Sequence, residues 1–161
     1  MPLQTYFGYW SGAEDYYTHD CRGAYDLAEG TETAYEFNGT YSTFPFTAHA
    51  VAAIEENAPK GPMFLYLPYQ NVHWPLEAPE EYMAMFKDTT GGDSRRQHVC
   101  AMAKIMDDGV GNVTAALKKA GAYEQTVQIF SSDNGGPTGG NEGTFSDNYP
   151  MRGGKNTIWE G

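Results

Sequence analysis

Six apolar residues, Val99, Met102, Met106, Val110, Val113 and Leu117, succeed one another at intervals of 3, 4, 4, 3 and 4. That spacing draws one continuous stripe along an α-helix and does not suit a strand, whose faces alternate every second residue. Lys118 and Lys119 fall at the end where the helix dipole favours cations, and Gly121 stands where a helix stops. A helix over 95–120 is expected. Beyond it, Thr126-Val127-Gln128-Ile129-Phe130 has the β-branched and aromatic content of a strand, broken by Ser132-Asp133-Asn134-Gly135-Gly136. The same order occurs upstream. Phe46, Ala50, Ala53 and Ile54 lie near one face of a helix over 46–56, Pro45 suits its first turn, and Asn57-Ala58-Pro59 ends it. Met63-Phe64-Leu65-Tyr66-Leu67, bounded by Gly61-Pro62 and Pro68, then has the form of a strand buried on both faces. Helix, strand, helix, strand is the alternation of an α/β fold with a mostly parallel sheet between helices.

The flanks are less regular. Residues 6–41 are rich in Gly, Asp, Glu and Tyr without a sustained period, and read as surface-lying chain with a short strand at 34–37. Loops of that length usually serve a site or pack around one. Residues 137–161 are Gly-rich and read as an extended loop region.

At 161 residues the chain has the length of one domain. Its 10 Lys+Arg against 21 Asp+Glu give a net charge of −11, which would repel phosphate backbones, so nucleic acid is excluded as a partner class. Hydrophobic residues at 40% and 12 tyrosines supply too much core-forming material for a disordered acidic chain. No apolar run approaches the roughly 20 residues of a membrane span. The opening Met1-Pro2-Leu3-Gln4-Thr5-Tyr6 has neither the basic nor the apolar region of a signal peptide. Cys21 and Cys100 allow at most one internal disulfide, and nothing in their spacing says that they meet. Two sequons, Asn38-Gly39-Thr40 and Asn112-Val113-Thr114, are glycan acceptors if the protein enters the secretory pathway. They lean towards a lysosomal or secreted setting.

Ligands of open α/β sheets collect beyond the carboxyl ends of the strands. His73 lies there after the first expected strand, with Pro75 restricting its loop. Asp133 and Asn134 lie there after the second, a carboxylate and a carboxamide oxygen that suit a hard cation such as Ca²⁺ or Mg²⁺. On spacing alone Asp133-Asn134-Gly135-Gly136 is equally the composition of a plain turn, and a lone loop histidine is equally a surface residue. Arg152 and Lys155 stand among glycines in a strongly acidic protein, where cations near a site would attract an oxyanion; a solvated basic loop has the same composition.

Taken in order, these clusters resemble the sulfatases, and within them the arylsulfatase B-like group. The resemblance is carried by Tyr6-Phe7-Gly8-Tyr9 with Glu14-Asp15-Tyr16-Tyr17, Phe64-Leu65-Tyr66-Leu67 with Val72-His73-Trp74-Pro75-Leu76, and Pro79-Glu80-Glu81-Tyr82. It continues through Met106-Asp107-Asp108-Gly109-Val110-Gly111-Asn112-Val113-Thr114-Ala115-Ala116-Leu117, Phe130-Ser131-Ser132-Asp133-Asn134-Gly135-Gly136, and Arg152-Gly153-Gly154-Lys155 with Trp159-Glu160-Gly161. It implies an alkaline-phosphatase-like α/β sandwich and hydrolysis of the sulfate ester of a sugar or aryl alcohol. In that family a formylglycine, made from the Cys of Cys-x-Pro-x-Arg, attacks sulfur while a Ca²⁺ ion held by carboxylates and one carboxamide binds the sulfate. Asp133 and Asn134 match the last two metal ligands, Lys155 the lysine that contacts sulfate, and His73 the histidine beside the leaving oxygen. Asn112 matches a family sequon.

The chain also departs from that pattern. Neither Cys21-Arg22-Gly23 nor Cys100-Ala101-Met102 supplies the Pro and Arg of the nucleophile motif, and no upstream Asp-Asp pair completes a metal cage. Cys21 matches a position of a local disulfide in the arylsulfatase B-like group, but the nearby partner cysteine is missing. Sulfatase domains are much longer, so residues 1–161 read as a central part of one, lacking the nucleophile segment and the C-terminal part. A catalytically inactive sulfatase-like binding or interaction protein is the alternative expectation.

Overall fold

In the computed structural model, which describes residues 5–138 and 146–161, two long helices carry the architecture. The first, α1 (Thr43–Asn57), packs along the last, α3 (Ser94–Lys119), and a short α2 (Glu80–Met85) leans on α3 as well. The start of α3 is fixed by Asp93, whose side chain accepts from the backbone N–H of Arg95 and Arg96 at 3.0 and 3.3 Å. A cap of this kind is worth about 1 kcal/mol. Its end is closed by Gly121 at φ 69°, with the Ala122 N–H donating back to the Leu117 carbonyl at 3.0 Å.

Ahead of the helices lie short antiparallel strands. β1 (Phe7–Tyr9), β4 (Leu27–Glu29) and β5 (Glu32–Thr33) form one sheet in the order β1-β4-β5, with Gly8 opposite Ala28 and Ala28 opposite Thr33. β2 (Asp20–Cys21) and β3 (Ala24–Tyr25) form a hairpin. Its two-residue turn, Arg22 and Gly23, has φ 56° and 88°, the pair of positive values that matches strand twist in a tight hairpin.

Three buried clusters hold these parts together. Tyr16, Tyr41, Met102 and Ile105 join the N-terminal segment to α3; Leu27, Ala34 and Phe46 join the sheet to α1; Ile54, Ala116 and Leu117 lock the far ends of α1 and α3. Gly109 of α3 faces Thr47 of α1 and Tyr69 closely. A Cβ there would stand 2.5 Å from the Tyr69 hydroxyl and 2.8 Å from Thr47 Oγ1. Thr47 donates to the Thr43 carbonyl at 2.7 Å, so the 2.8 Å contact between its oxygen and Tyr69 is a bond that Tyr69 donates.

The α/β class holds, with both helices within a few residues of their expected bounds, but several expectations fail. Residues 34–37 are not a strand: Tyr35–Phe37 is a 3₁₀ turn, and the strand is Glu32–Thr33 just before it. The Ala34 carbonyl accepts from the Phe37 N–H that closes this turn at 3.3 Å and from the Tyr25 hydroxyl at 2.6 Å. Residues 63–67 and 126–130 join no ladder among the described residues, and the pairs that do form are antiparallel. Neither run is buried on both faces, since Phe64 is 81% and Ile129 86% exposed. Strand sequence gives an apolar ribbon, and only neighbouring strands give it a sheet. On α3 the buried positions are Ala101, Met102, Ile105, Gly109, Ala116 and Leu117, while Met106 and Val110 are half-buried. The contact line follows small residues because they admit α1 and Tyr69 closely, which bulk-based periodicity does not register. The loop character of 137–161 holds where it is described, and residues 139–145 lie outside the described residues. No described helix is long and apolar enough to cross a membrane.

Candidate active site

The loop carrying His73 is clamped from beneath by the N-terminal third of the chain. Gln70 is buried, and its carboxamide takes both backbone polar groups of Glu14: the Glu14 N–H donates to Gln70 Oε1 at 3.0 Å, and Gln70 Nε2 donates to the Glu14 carbonyl at 2.6 Å. Tyr16, fully buried and stacked on Tyr41 at 4.9 Å, donates its hydroxyl to the His73 carbonyl at 3.0 Å. Burial holds the Tyr16 phenol well above its ordinary value, with the neighbouring Tyr41 adding to the effect, so it stays a donor. Further along the loop, Glu77 Oε2 accepts from the Tyr16 N–H at 3.2 Å, and the Tyr41 hydroxyl donates to the Glu77 carbonyl at 2.9 Å. Asn71 Nδ2 donates to the Met102 carbonyl of α3 at 2.9 Å. Four residues from three parts of the sequence, Glu14 with Tyr16, Tyr41, and Met102, thus set one loop.

Glu14 is itself held. Its Oε1 lies 3.0 Å from His19 Nδ1, both side chains are shut off from solvent, and His19 Nε2 lies 3.0 Å from the Phe37 carbonyl. A carbonyl only accepts, so Nε2 carries a proton, and the second nitrogen shares one with Glu14. Burial opposes charge on His19, but the Glu14 carboxylate and the Phe37 and Thr40 backbone outweigh it, so the imidazole pKa lies above its ordinary value. Burial likewise raises Glu14, against the lowering effect of His19.

His73 and Lys155 come together. Lys155 Nζ lies 3.2 Å from His73 Nε2, and His73 Nδ1 lies 2.6 Å from the Trp74 carbonyl. Since that carbonyl accepts, Nδ1 bears hydrogen, and Nε2 presents its lone pair to the lysine ammonium. Arg152, by contrast, is engaged elsewhere: it pairs with Glu160 at 3.0 Å and lies 4.4 Å over the Trp159 ring.

Asp133 and Asn134 sit in an exposed turn, with the Ser132 hydroxyl donating to the Asn134 carbonyl at 2.7 Å. The turn runs on into Gly136, against which Gly154 of the lysine loop is packed so closely that a Cβ would stand 2.4 Å from the Gly136 carbonyl. Burial first, then the charges of Glu14, Tyr6, Asp26 and, least, Asp133 push the Tyr9 phenol up to about 12. As donors, the Asp133 carboxylate and Asn134 carboxamide fit a hard cation, but two oxygens are well short of the 6–8 that Ca²⁺ takes. Among the described residues no group of three or more His, Cys, Asp or Glu is gathered to complete such a cage. Cys21 and Cys100 are both free, and Asn38 and Asn112 are both exposed.

Sequence reasoning did not single out Tyr16, Gln70 or Glu14 as supports of this site. For Glu14 and Tyr16 the signal was a Tyr- and acid-rich irregular segment, too long to be an idle loop, and for Gln70 its place in the His73 loop.

The sulfatase family profile matches residues 1–161. Arylsulfatase J of Mus musculus is 42% identical over 166 residues, a match covering 99% of this chain and 27% of the relative. N-acetylgalactosamine-6-sulfatase of Mus musculus is 30% identical over 119 residues, covering 72% of this chain and 21% of the relative. Among solved structures, that of Ps i-CgsB in complex with k-i-k-neocarrahexaose superposes with a TM-score of 0.84 at 30% identity, covering 99% of this chain and 37% of that one. The chain spans about a quarter of the length of the curated relatives it matches. A family profile that runs through every residue, joined to a backbone that overlays a solved relative along almost its whole length, leaves one assignment: this chain belongs to the sulfatase family.

Proposed function

We propose that this chain forms the sulfate-binding and leaving-group side of a sulfuric ester hydrolase that acts on sulfated sugars or aryl sulfates. The observation that carries the reading is the 3.2 Å approach of Lys155 Nζ to His73 Nε2. Sulfate-ester cleavage breaks the bond between sulfur and the bridging oxygen, builds charge on the non-bridging oxygens and releases an alkoxide. A lysine ammonium offset by one hydrogen-bond length from an imidazole nitrogen meets both demands. Lys155 holds a non-bridging oxygen, and His73 Nε2, whose lone pair faces Lys155 here, would take a proton from solvent once the lysine turns to the sulfate and give it to the bridging oxygen as the S–O bond breaks, with Nδ1 staying anchored on the Trp74 carbonyl. Asp133 and Asn134 would supply two oxygen ligands to a Ca²⁺ ion, whose chemistry when bound is charge neutralisation on the sulfate.

The attacking group and the remaining metal ligands belong, in this reading, to segments of a longer protein. The exposed ribbons at 63–67 and 126–130 support that: Phe64, Tyr66, Val127, Ile129 and Phe130 are all more than 70% exposed, which suits strands awaiting neighbours. A lysosomal or secreted location fits the two exposed sequons, with Asn112 the acceptor ahead of Asn38. Peptide mass spectrometry of the secreted protein checks that order.

The test is hydrolysis of an aryl sulfate by a longer protein that carries these residues together with a nucleophile segment, before and after Lys155→Ala. Turnover lost with Lys155 supports the reading; turnover indifferent to both Lys155 and His73 overturns it.

A further inference from the structure

One carboxamide joins the two loops that carry Asp133, Asn134 and Lys155. Asn148 Oδ1 accepts from the Gly136 N–H at 3.0 Å, and its Nδ2 donates to the Gly136 carbonyl at 2.7 Å. The same Nδ2 donates its second hydrogen to the Gly153 carbonyl at 3.0 Å. Three of the four hydrogen bonds open to an asparagine side chain are therefore spent between residue 136 and residue 153. The side chain stands in for a strand partner on Gly136 while tethering the backbone two residues before Lys155. The close packing of Gly154 leaves no slack, since a Cβ there would also lie 2.9 Å from Asn148 Nδ2. Gly153 at φ 75° makes the bend that turns its carbonyl towards Asn148 and carries the chain on to Lys155.

We infer that Asn148 is a positioning residue for Lys155: it fixes the lysine loop against the Asp133-Asn134 turn and so sets the distance from Lys155 Nζ to His73 Nε2. The inference rests on the role proposed for Lys155, and it specifies asparagine by chemistry. Aspartate keeps the acceptor for Gly136 but turns a carboxylate on two carbonyl oxygens. Alanine leaves the N–H and two carbonyls without partners. Glutamine keeps every polar group but displaces it by one methylene.

A double-mutant cycle tests this in the longer protein on an aryl sulfate, with Asn148→Ala, Lys155→Ala and both together. A misplacement of about 1 Å is enough for a loss on the order of 100-fold, so Asn148→Ala should lower kcat/KM by tenfold or more. If Asn148 acts through Lys155, adding Asn148→Ala to Lys155→Ala should cost less than about twofold further. Multiplying losses would mean a general structural part and would overturn the inference. If Lys155→Ala is itself harmless, the functional reading fails instead, which separates the two outcomes.

A measurement independent of turnover uses the 161-residue chain. The His73 ring resonances should move in the same direction in Asn148→Ala as in Lys155→Ala, and unmoved resonances in Asn148→Ala would sink the idea. Should the alanine variant fail to fold, Asn148→Gln serves in both experiments, with a smaller loss of the same pattern expected and wild-type behaviour counting against the inference.

Discussion

Lys155 donates to His73 Nε2 at 3.2 Å across a separation of 82 residues. Each residue also depends on distant supports: His73, whose ring bonds the neighbouring Trp74 carbonyl, hangs from Tyr16 and the Gln70 clamp, and Lys155 from a loop braced on Gly136. The pair is the point at which two independently supported loops meet, and its chemistry can be separated by substrate.

Lys155→Ala should slow aryl sulfates with good and poor leaving groups alike in a longer, nucleophile-bearing protein, because the role proposed for it is to hold the sulfate common to every substrate. A loss on the order of 100- to 1000-fold is expected for removal of one charge-stabilising donor. His73→Ala should cost on the order of 100-fold or more with a sugar sulfate and distinctly less with a nitrophenyl sulfate, whose leaving group hardly needs a proton. Equal slowing of both substrates by His73→Ala would remove its assignment to the leaving oxygen.

The 161-residue chain expressed alone should show no aryl sulfatase turnover and only weak Ca²⁺ binding, since Asp133 and Asn134 leave most coordination positions to water. Turnover above a heat-killed control that disappears with Cys21 or Cys100 would contradict this, and so would submicromolar Ca²⁺ affinity by calorimetry.

Stability should fall as pH rises. His19 is protonated more readily in the fold than its ordinary 6.5, so its contribution is fully present below 6.5 and is lost as pH climbs through the raised value. Glu14, raised by burial, acts in the same sense above its ordinary 4.5. Unfolding temperatures should decline as pH rises above 6.5, and His19→Gln should flatten the slope. An unchanged slope in that variant would show that the Glu14–His19 pair is not its source.

Gly109→Ala places a methyl 2.5 Å from the Tyr69 hydroxyl and 2.8 Å from Thr47 Oγ1. Alanine gains about 1 kcal/mol in helix propensity, but overpacking at a tight crossing costs about 1–3 kcal/mol. Chemical denaturation should therefore show a net loss of about 1 kcal/mol. A stabilised variant would mean that Tyr69 moves aside freely.

How much of this was legible beforehand follows from the range of the forces involved. Helix α3 could be read because its stripe, its C-terminal lysines and Gly121 are signals internal to one segment, whereas the Asp93 cap came from the structure. His73, Lys155 and the Asp133-Asn134 turn were legible as residue types at strand ends and in a family's order. That Lys155 meets His73 was not, because no local pattern reports a distance between residues 82 apart. Tyr16 illustrates the other blind spot. One hydroxyl on one carbonyl leaves no periodicity, and Tyr16 differs from its many neighbouring tyrosines only in where its ring is buried.

The apolar ribbons at 63–67 and 126–130 mark the remaining boundary. Backbone preference and side-chain pattern favour extended chain in each, yet neither is a strand among the described residues. Whether an extended segment becomes a buried strand depends on hydrogen-bond partners from other parts of a chain, which its own residues cannot specify. Short-range preferences and charge therefore set the helices, the turns and the acidic surface here. The clamp beneath His73 and its meeting with Lys155 came only from tertiary packing, since they depend on contacts between residues far apart in sequence.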